Sequence, residues 1–330
     1  MSFNLLAFSK GGGCGCKIEP QKLKTILGDF SQHHPDNLIV DYTGSDDAAV
    51  VDLGDQYLIQ TTDFFLPVVA NPYDFGRIAA CNALSDVYAM GGRPLTALSI
   101  LGWPLEKIPL EVASEVIKGA ADICQAAGIS ISGGHSIETA DPIFGLSVSG
   151  LVNKTQLKRN NTCQVGDGIY ITKPLGLGLL ANAVKTESIS QQGYEELIKY
   201  ATQLNVVGTE LAQRASVTAM TDITGFGLLG HLTEMLGPDK GASIRLDAIP
   251  VLNEARELAA KMQYPNITTS NYNFVKDRCQ GLTGLEFLWL CDPQTSGGLM
   301  FTSSEEIAME QCYKIGEVRA HSMIEIVHPA

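Results

Sequence analysis

YLIQTTDFFLPVVANPYDFGRIAACNALSDVYAMGGRPLTALSIL, residues 57–101, reads as strand, helix and strand in direct succession. Residues 57–62 are a short run of aromatic, aliphatic and β-branched side chains closed by Asp63. Residues 75–90 keep helical spacing and stop at Gly91-Gly92, with Pro94 just beyond. Residues 95–101 then resume an aliphatic strand. Upstream, 38–40 and 48–53 read as strands. Downstream, 110–127 is the clearest amphipathic helix, with Val112, Val116, Ala120, Ile123 and Ala127 on one face and Gly128 ending it. Strands at 129–132 and 144–152 follow. A polar stretch at 153–165 separates this half from a second one. There, strands are expected at 168–172, 300–302 and 324–327, and helices at 206–215, 226–235 and 254–262. The strand runs cluster instead of alternating strictly with helices, so the fold class expected is α+β, not a doubly wound parallel sheet.

The chain has 330 residues, long for one hydrophobic core, and two mixed domains are the natural expectation. The first residues lack a basic segment followed by an apolar one, and no apolar run is long enough to span a bilayer, so the protein is read as cytoplasmic, with no membrane partner. A net charge of −13 argues against nucleic acid as a partner. It also means that any polyphosphate ligand needs metal ions between it and the acidic side chains. Eight cysteines are present, none in a Cys-x-x-Cys pair, so neither a zinc site nor a disulfide framework is expected.

Three groups of residues carry chemistry. The first is the Gly-rich arm Gly11-Gly12-Gly13-Cys14-Gly15-Cys16-Lys17, read as mobile. It is not a P-loop, because Cys16 precedes Lys17 and Ile18 follows it. A thiolate beside a lysine is a better nucleophile or soft ligand, and the lysine is a point charge for phosphate. A tail without function is the alternative reading. The second group is aspartates at turns and helix ends: Asp46 and Asp47 before a strand, Asp63 after one, Asp86 in a last helical turn, and Asp222 before a Gly-rich turn. Hard oxygen ligands of this kind suit Mg²⁺, although each alone is also a turn former or cap. Asp86 fits that plainer reading worst, since an acid opposes the helix dipole there. The third is Ser132-Gly133-Gly134-His135-Ser136, read as a turn that presents backbone N–H groups to an anion, or as a turn only.

With these residues assembled, the chain resembles the selenophosphate synthetases (selenide, water dikinases). The matching segments are GGGCGCKIEP at 11–20, SDDAAVVDLG at 45–54, TTDFFLPVVANPYDFGRIAACNALSDVYAMGG at 61–92 and ILGWP at 100–104. GGHSIETADPIFGLSVSG at 133–150, TKPLGLG at 172–178, AMTDITGFGLLGHL at 219–232 and CDPQTSGGL at 291–299 complete them. The wider group includes aminoimidazole ribonucleotide synthetase and thiamine monophosphate kinase. The resemblance implies two mixed α/β domains of that type, 21–155 binding ATP and Mg²⁺ and 156–330 following, with 1–20 as a mobile catalytic arm.

Carried over by position, the resemblance implies Cys14 and Lys17 as catalytic and Asp47, Asp86 and Asp222 as magnesium ligands. Lys17, Gly44, Ser45, Asp46, Asp63, Asp86, Gly134, His135 and Ser136 would contact the nucleotide. The implied reaction converts ATP, selenide and water to selenophosphate, AMP and phosphate, supplying selenium for selenocysteine and selenouridine. A homodimer is implied, with a K⁺ ion and a selenium-delivery protein left open. Gly44-Ser45 replaces the Thr-Arg of some relatives, and Ser270 stands where close relatives carry arginine. Two rivals remain on the residues: a kinase or ligase for a purine or thiamine precursor, with a dispensable arm, and a non-catalytic thiol protein without Mg-dependent nucleotide binding.

Overall fold

The strand, helix and strand of 57–101 fold as expected, as the spine of a larger sheet. The computed structural model describes residues 3–8, 25–26, 34–41, 44 and 46–329. The first sheet contains β1 (Leu38–Val40), β2 (Ala49–Asp52), β3 (Gln56–Phe65), β4 (Arg93–Trp103), β5 (Ile131–Glu138) and β6 (Ile143–Asn153). Their order is β1-β2-β3-β6-β4-β5. β3 pairs with β6 along its whole length, from Gln56 opposite Asn153 to Phe65 opposite Phe144. Every pairing is antiparallel except β4 with β5, which requires a helical crossover.

That crossover is α2 (Leu110–Ala126), and it packs beside α1 (Pro72–Ala89) on one face of the sheet. α1 begins cleanly: the Asn71 side chain accepts from Asp74 N at 3.0 Å, and Pro72 fills the first position. The two helices cross without side chains between them. A Cβ on Gly76 would lie 1.8 Å from Val116 O, and one on Gly119 would lie 2.0 Å from Tyr73 O. α1 is buried at every residue from 78 to 90. A helix buried all round needs partners on all sides, and its far side rests on elements of the second half.

The second sheet contains β7 (Gly168–Ile171), β8 (Val217–Asp222), β9 (Gly241–Arg245), β10 (Cys279–Gln280), β11 (Leu299–Ser303), β12 (Tyr313–Arg319) and β13 (Ile324–Val327). Their order is β10-β13-β9-β12-β7-β11-β8. The helices of this half are α3 (Leu177–Lys185), α4 (Gln191–Ala201), α5 (Val207–Leu211), α6 (Gly227–Leu236), α7 (Asn253–Ala260), α8 (Ile267–Val275) and α9 (Phe287–Leu290). One face of the sheet carries Ile171, Leu228, Leu232, Ile244 and Met300. The other carries Tyr170, Met220, Leu211 and Phe301, with the Tyr170 and Phe301 rings stacked at 5.0 Å. α1 packs against β8, α4 and α5, so it lies between the two sheets.

Two expectations change. The strand at 129–132 starts at Ile131 and runs on through Gly133-Gly134-His135-Ser136, which is strand and not turn. Glycine is needed at 134 for close approach: a Cβ there would lie 2.2 Å from Ser99 O. Asp63, expected after a strand, lies inside β3, which runs on to Phe65; Asp222 ends β8 ahead of the Gly-rich turn, as expected. No helix among the described residues is long and apolar enough to cross a membrane.

Candidate active site

Thr61 and Asp63 lie two apart on β3, so both face α1. There Asn82 and Asp86, one turn apart, point back at them. Asn82 Nδ2 donates to Asp63 Oδ2 at 2.6 Å, and the Thr61 hydroxyl donates to Asp86 Oδ2. From the other half, Thr221 Oγ1 on β8 donates 2.7 Å to Asp47 Oδ1, in the turn before β2. Asp222, the next residue of β8, brings a fourth carboxylate to the same junction. Burial, then Asp63, Asp222 and Asp47, push the Asp86 carboxyl well above its usual range, with the Thr61 hydroxyl opposing. Burial and then Asp222 do the same to Asp47, against the Thr221 hydroxyl. Asp47, Asp63, Asp86 and Asp222 therefore form one electrostatic cluster from four separate segments.

Asp46 plays a different part. Its side chain is fully buried, and its Oδ2 accepts from Arg159 Nε at 3.0 Å and Nη2 at 2.8 Å. Oδ1 accepts from Asn160 N at 2.9 Å. Gly44 is packed against this pair: a Cβ there would lie 2.8 Å from Asp46 Oδ2 and 3.0 Å from Arg159 Nη2. The turn that carries Asp47 is thus moored to the segment between the two sheets.

The cluster suits a hard divalent cation. Its donors are carboxylate and hydroxyl oxygens, and Asp47 Oδ2 is buried with no hydrogen-bond partner. Among the described residues no group of three His, Cys, Asp or Glu side chains forms a ready-made metal cage. Mg²⁺ seldom uses one; it takes one or two carboxylates and completes its shell with water and phosphate.

Gly134, His135 and Ser136 are not at this cluster. They lie on β5, the edge strand, exposed on both faces. Asp63, Leu146, Ser99 and Gly134 share one row across β3, β6, β4 and β5. Three strand spacings separate its ends, about 14 Å. Cys14, Cys16, Lys17 and Ser45 lie outside the described residues. A cleft of about 300 Å³ lined by Tyr88, Arg93, Leu95, Val206 and Thr209 contains none of the aspartates.

The family models AIR synthase related protein, N-terminal domain, and AIR synthase related protein, C-terminal domain, match residues 45–152 and 164–328. The proteins named selenide, water dikinase of Shewanella baltica (strain OS155 / ATCC BAA-1091) and Shewanella sp. (strain MR-7) are 46% and 45% identical to this chain over 312 residues. Both alignments cover 94% of this chain and 89% of the relative. The chain belongs to the selenide, water dikinase family.

Solved structures show the same fold at lower identity. Thiamine monophosphate kinase from Aquifex aeolicus is 18% identical with a TM-score of 0.69, covering 94% of this chain and 97% of that one. Hydrogenase maturation protein HypE in complex with ATP is 18% identical with a TM-score of 0.62, covering 98% and 94%.

In this selenide, water dikinase family member the supporting residues were the harder ones to see. Thr61, Thr221 and Arg159 carry no signal in their own neighbourhoods, because their partners lie far along the chain. Asn82 shares a helix face with Asp86, four residues on, and an uncharged amide gives no acid signal of its own. Asp292, in the matching segment 291–299, is fully buried. Its Oδ2 accepts from Gly178 N at 2.9 Å and Leu179 N at 3.1 Å, capping α3 from a distance. Ser270, in the place of an expected arginine, is exposed on α8.

Proposed function

We propose that the carboxylate cluster is where this selenide, water dikinase seats Mg·ATP, and that 1–20 is the catalytic arm acting on it. The observation carrying the reading is the convergence of Asp47, Asp63, Asp86 and Asp222 at the junction of the two sheets. The family's reaction takes ATP, selenide and water to selenophosphate, AMP and phosphate, and ATP is the phosphoryl donor. Asp47, Asp86 and Asp222 would hold Mg²⁺, with K⁺ left as a second ion to be tested. Bound there, Mg²⁺ would supply positive charge to offset that of the phosphates.

The chain's own residues do the rest. Asp63 lines the nucleotide, as do Gly44 and Ser45 on a turn that Asp46 holds through Arg159, with Gly134, His135 and Ser136 on the edge strand β5. Lys17 meets the γ-phosphoryl oxygens, and the arm excludes water as it closes. Cys14 holds selenium beside the γ-phosphorus. The selenium–phosphorus bond forms as the bond from the γ-phosphorus to the β–γ bridging oxygen breaks, leaving ADP. Hydrolysis of that ADP gives AMP and phosphate. The division into 21–155 and 156–330 is supported by the limits of the two family models. Cytoplasmic placement, a selenium-delivery protein and a role supplying selenocysteine and selenouridine synthesis complete the proposal.

A homodimer is part of it. The face of the first sheet turned away from α1 and α2 exposes Phe64, Leu98 and Ile137 at 52%, 47% and 57%. Among the described residues β5 is the last strand of that sheet, and a second copy would cover its edge. Sedimentation at micromolar protein tests this; a monomer would remove it.

The function is tested by ³¹P NMR of ATP with enzyme, Mg²⁺ and selenide, in which a selenophosphate resonance should appear. Single-turnover transfer should fail in Cys14→Ser and in Lys17→Ala; unimpaired product in either variant would remove that residue's assigned role.

A further inference from the structure

Asn82 has no solvent exposure, and its amide is engaged at both ends. Nδ2 donates to Asp63 Oδ2 at 2.6 Å, while Oδ1 accepts from Ser296 N at 2.9 Å. The partners fix the amide's orientation, since a backbone N–H only donates and a carboxylate accepts. A short neutral amide suits this place. A carboxylate would oppose Asp63, and an aliphatic chain would lose both hydrogen bonds.

Ser296 is itself clamped from both sides. Its backbone adopts φ of +57°, a left-handed conformation that a non-glycine residue holds only when its surroundings require it. Its carbonyl accepts from Lys173 Nζ at 3.1 Å, and Lys173, buried, also donates to Gln203 O at 2.6 Å. Two residues on, Gly298 O accepts from Ile223 N at 2.8 Å, and Leu299 pairs with Asp222. A short continuous path therefore runs from Asp63 through Asn82 and Ser296 to the end of β8, where Asp222 sits. It joins carboxylates from opposite halves of the chain.

We propose that Asn82 is a positioning residue that holds Asp63 in register with Asp222, and so sets the affinity for Mg·nucleotide through Asp63. This rests on the reading of Asp63 as a nucleotide contact. Thr61 performs the analogous service for Asp86 within the first half alone, whereas Asn82 reaches across the junction.

The test is a double-mutant cycle on the full chain: titration calorimetry with Mg²⁺ and the β,γ-methylene analogue of ATP for wild type, Asp63→Ala, Asn82→Ala and the double variant. Each single substitution should weaken binding about tenfold, and the double should be no weaker than Asp63→Ala to within about threefold. Asn82→Asp keeps the acceptor for Ser296 N–H and loses the donor to Asp63. It should weaken binding like Asn82→Ala, and it replaces that variant in the cycle if Asn82→Ala does not fold. Unchanged affinity in Asp63→Ala overturns the reading of Asp63, and the positioning role with it. A weakened Asp63→Ala with a neutral Asn82→Ala and Asn82→Asp, or with additive effects, overturns the positioning role alone.

Discussion

Arg159→Ala removes the only cation on the fully buried Asp46 carboxylate recorded among the described residues. Two charge-assisted bonds are lost, from Nε at 3.0 Å and Nη2 at 2.8 Å, while the Asn160 N–H on the other oxygen remains. Stripping one partner from a buried ion pair costs about 3–5 kcal/mol. Arg159 is 37% exposed, so water reaches the vacated space and screens the remaining charge. That discount brings the expected loss to about 2 kcal/mol. At about 1.5 °C per kcal/mol for a chain of this size, Tm should fall by about 3 °C. Because Asp47 follows Asp46 directly, Mg·nucleotide affinity should weaken too. Arg159→Lys should rescue little, since one ammonium does not reproduce the fork. Urea unfolding and calorimetric titration with Mg²⁺ and a non-hydrolysable nucleotide measure both effects. Arg159→Ala within about 0.5 kcal/mol of wild type, with unchanged affinity, would refute the mooring of this turn.

Asp86→Asn should abolish Mg-dependent nucleotide binding yet raise the melting temperature of the ligand-free protein, because it removes a buried charge facing Asp63, Asp222 and Asp47; lower ligand-free stability would contradict this. Burial pushes the Asp292 carboxyl from 3.8 up to about 8. The folded state then holds a proton that the unfolded state releases, so this group's contribution to stability falls as pH rises from about 4 to about 8 and is flat above. Asp292→Asn should remove that decline from urea midpoints measured across the range; an identical slope would count against it. Gly119→Ala places a methyl 2.0 Å from Tyr73 O, a backbone atom that cannot swing away. It should cost about 3 kcal/mol in urea unfolding, and a neutral result would mean that the helices are free to separate.

How much was legible follows from how far each signal had to travel. α1, β4 and α2 declare themselves because each is bounded by a local stop signal, Gly91-Gly92 or Gly128, while β3 shows in its aliphatic and β-branched run and continues past Asp63 to Phe65. β7 and β11 lie buried at every residue, so alternation could not mark their faces. Gly133-Gly134 looked like a turn because a glycine pair gives the same signal for a bend and for a close approach, and only the position of Ser99 separates them. The carboxylates were visible as acids where acids are unexpected. Their partners were not: Thr61 to Asp86 spans 25 residues, Arg159 to Asp46 spans 113, and Thr221 to Asp47 spans 174.

A net charge of −13 first read as an obstacle to binding a polyphosphate, and the structure makes the obstacle sharper and more local. Four carboxylates meet at the sheet junction, while three buried or half-buried cations among the described residues are committed elsewhere. Lys158 Nζ donates to Arg214 O and Val217 O, Lys173 Nζ to Gln203 O and Ser296 O, and Arg159 to Asp46. These cations hold backbone and moor turns; they are not presented to a ligand. Neutralising a triphosphate then falls to metal ions and to a cation brought from outside the two sheets, the role proposed for Lys17. On that account magnesium affinity and arm closure are coupled: removing Lys17 should weaken nucleotide binding most at limiting Mg²⁺, and an effect independent of Mg²⁺ would separate the two.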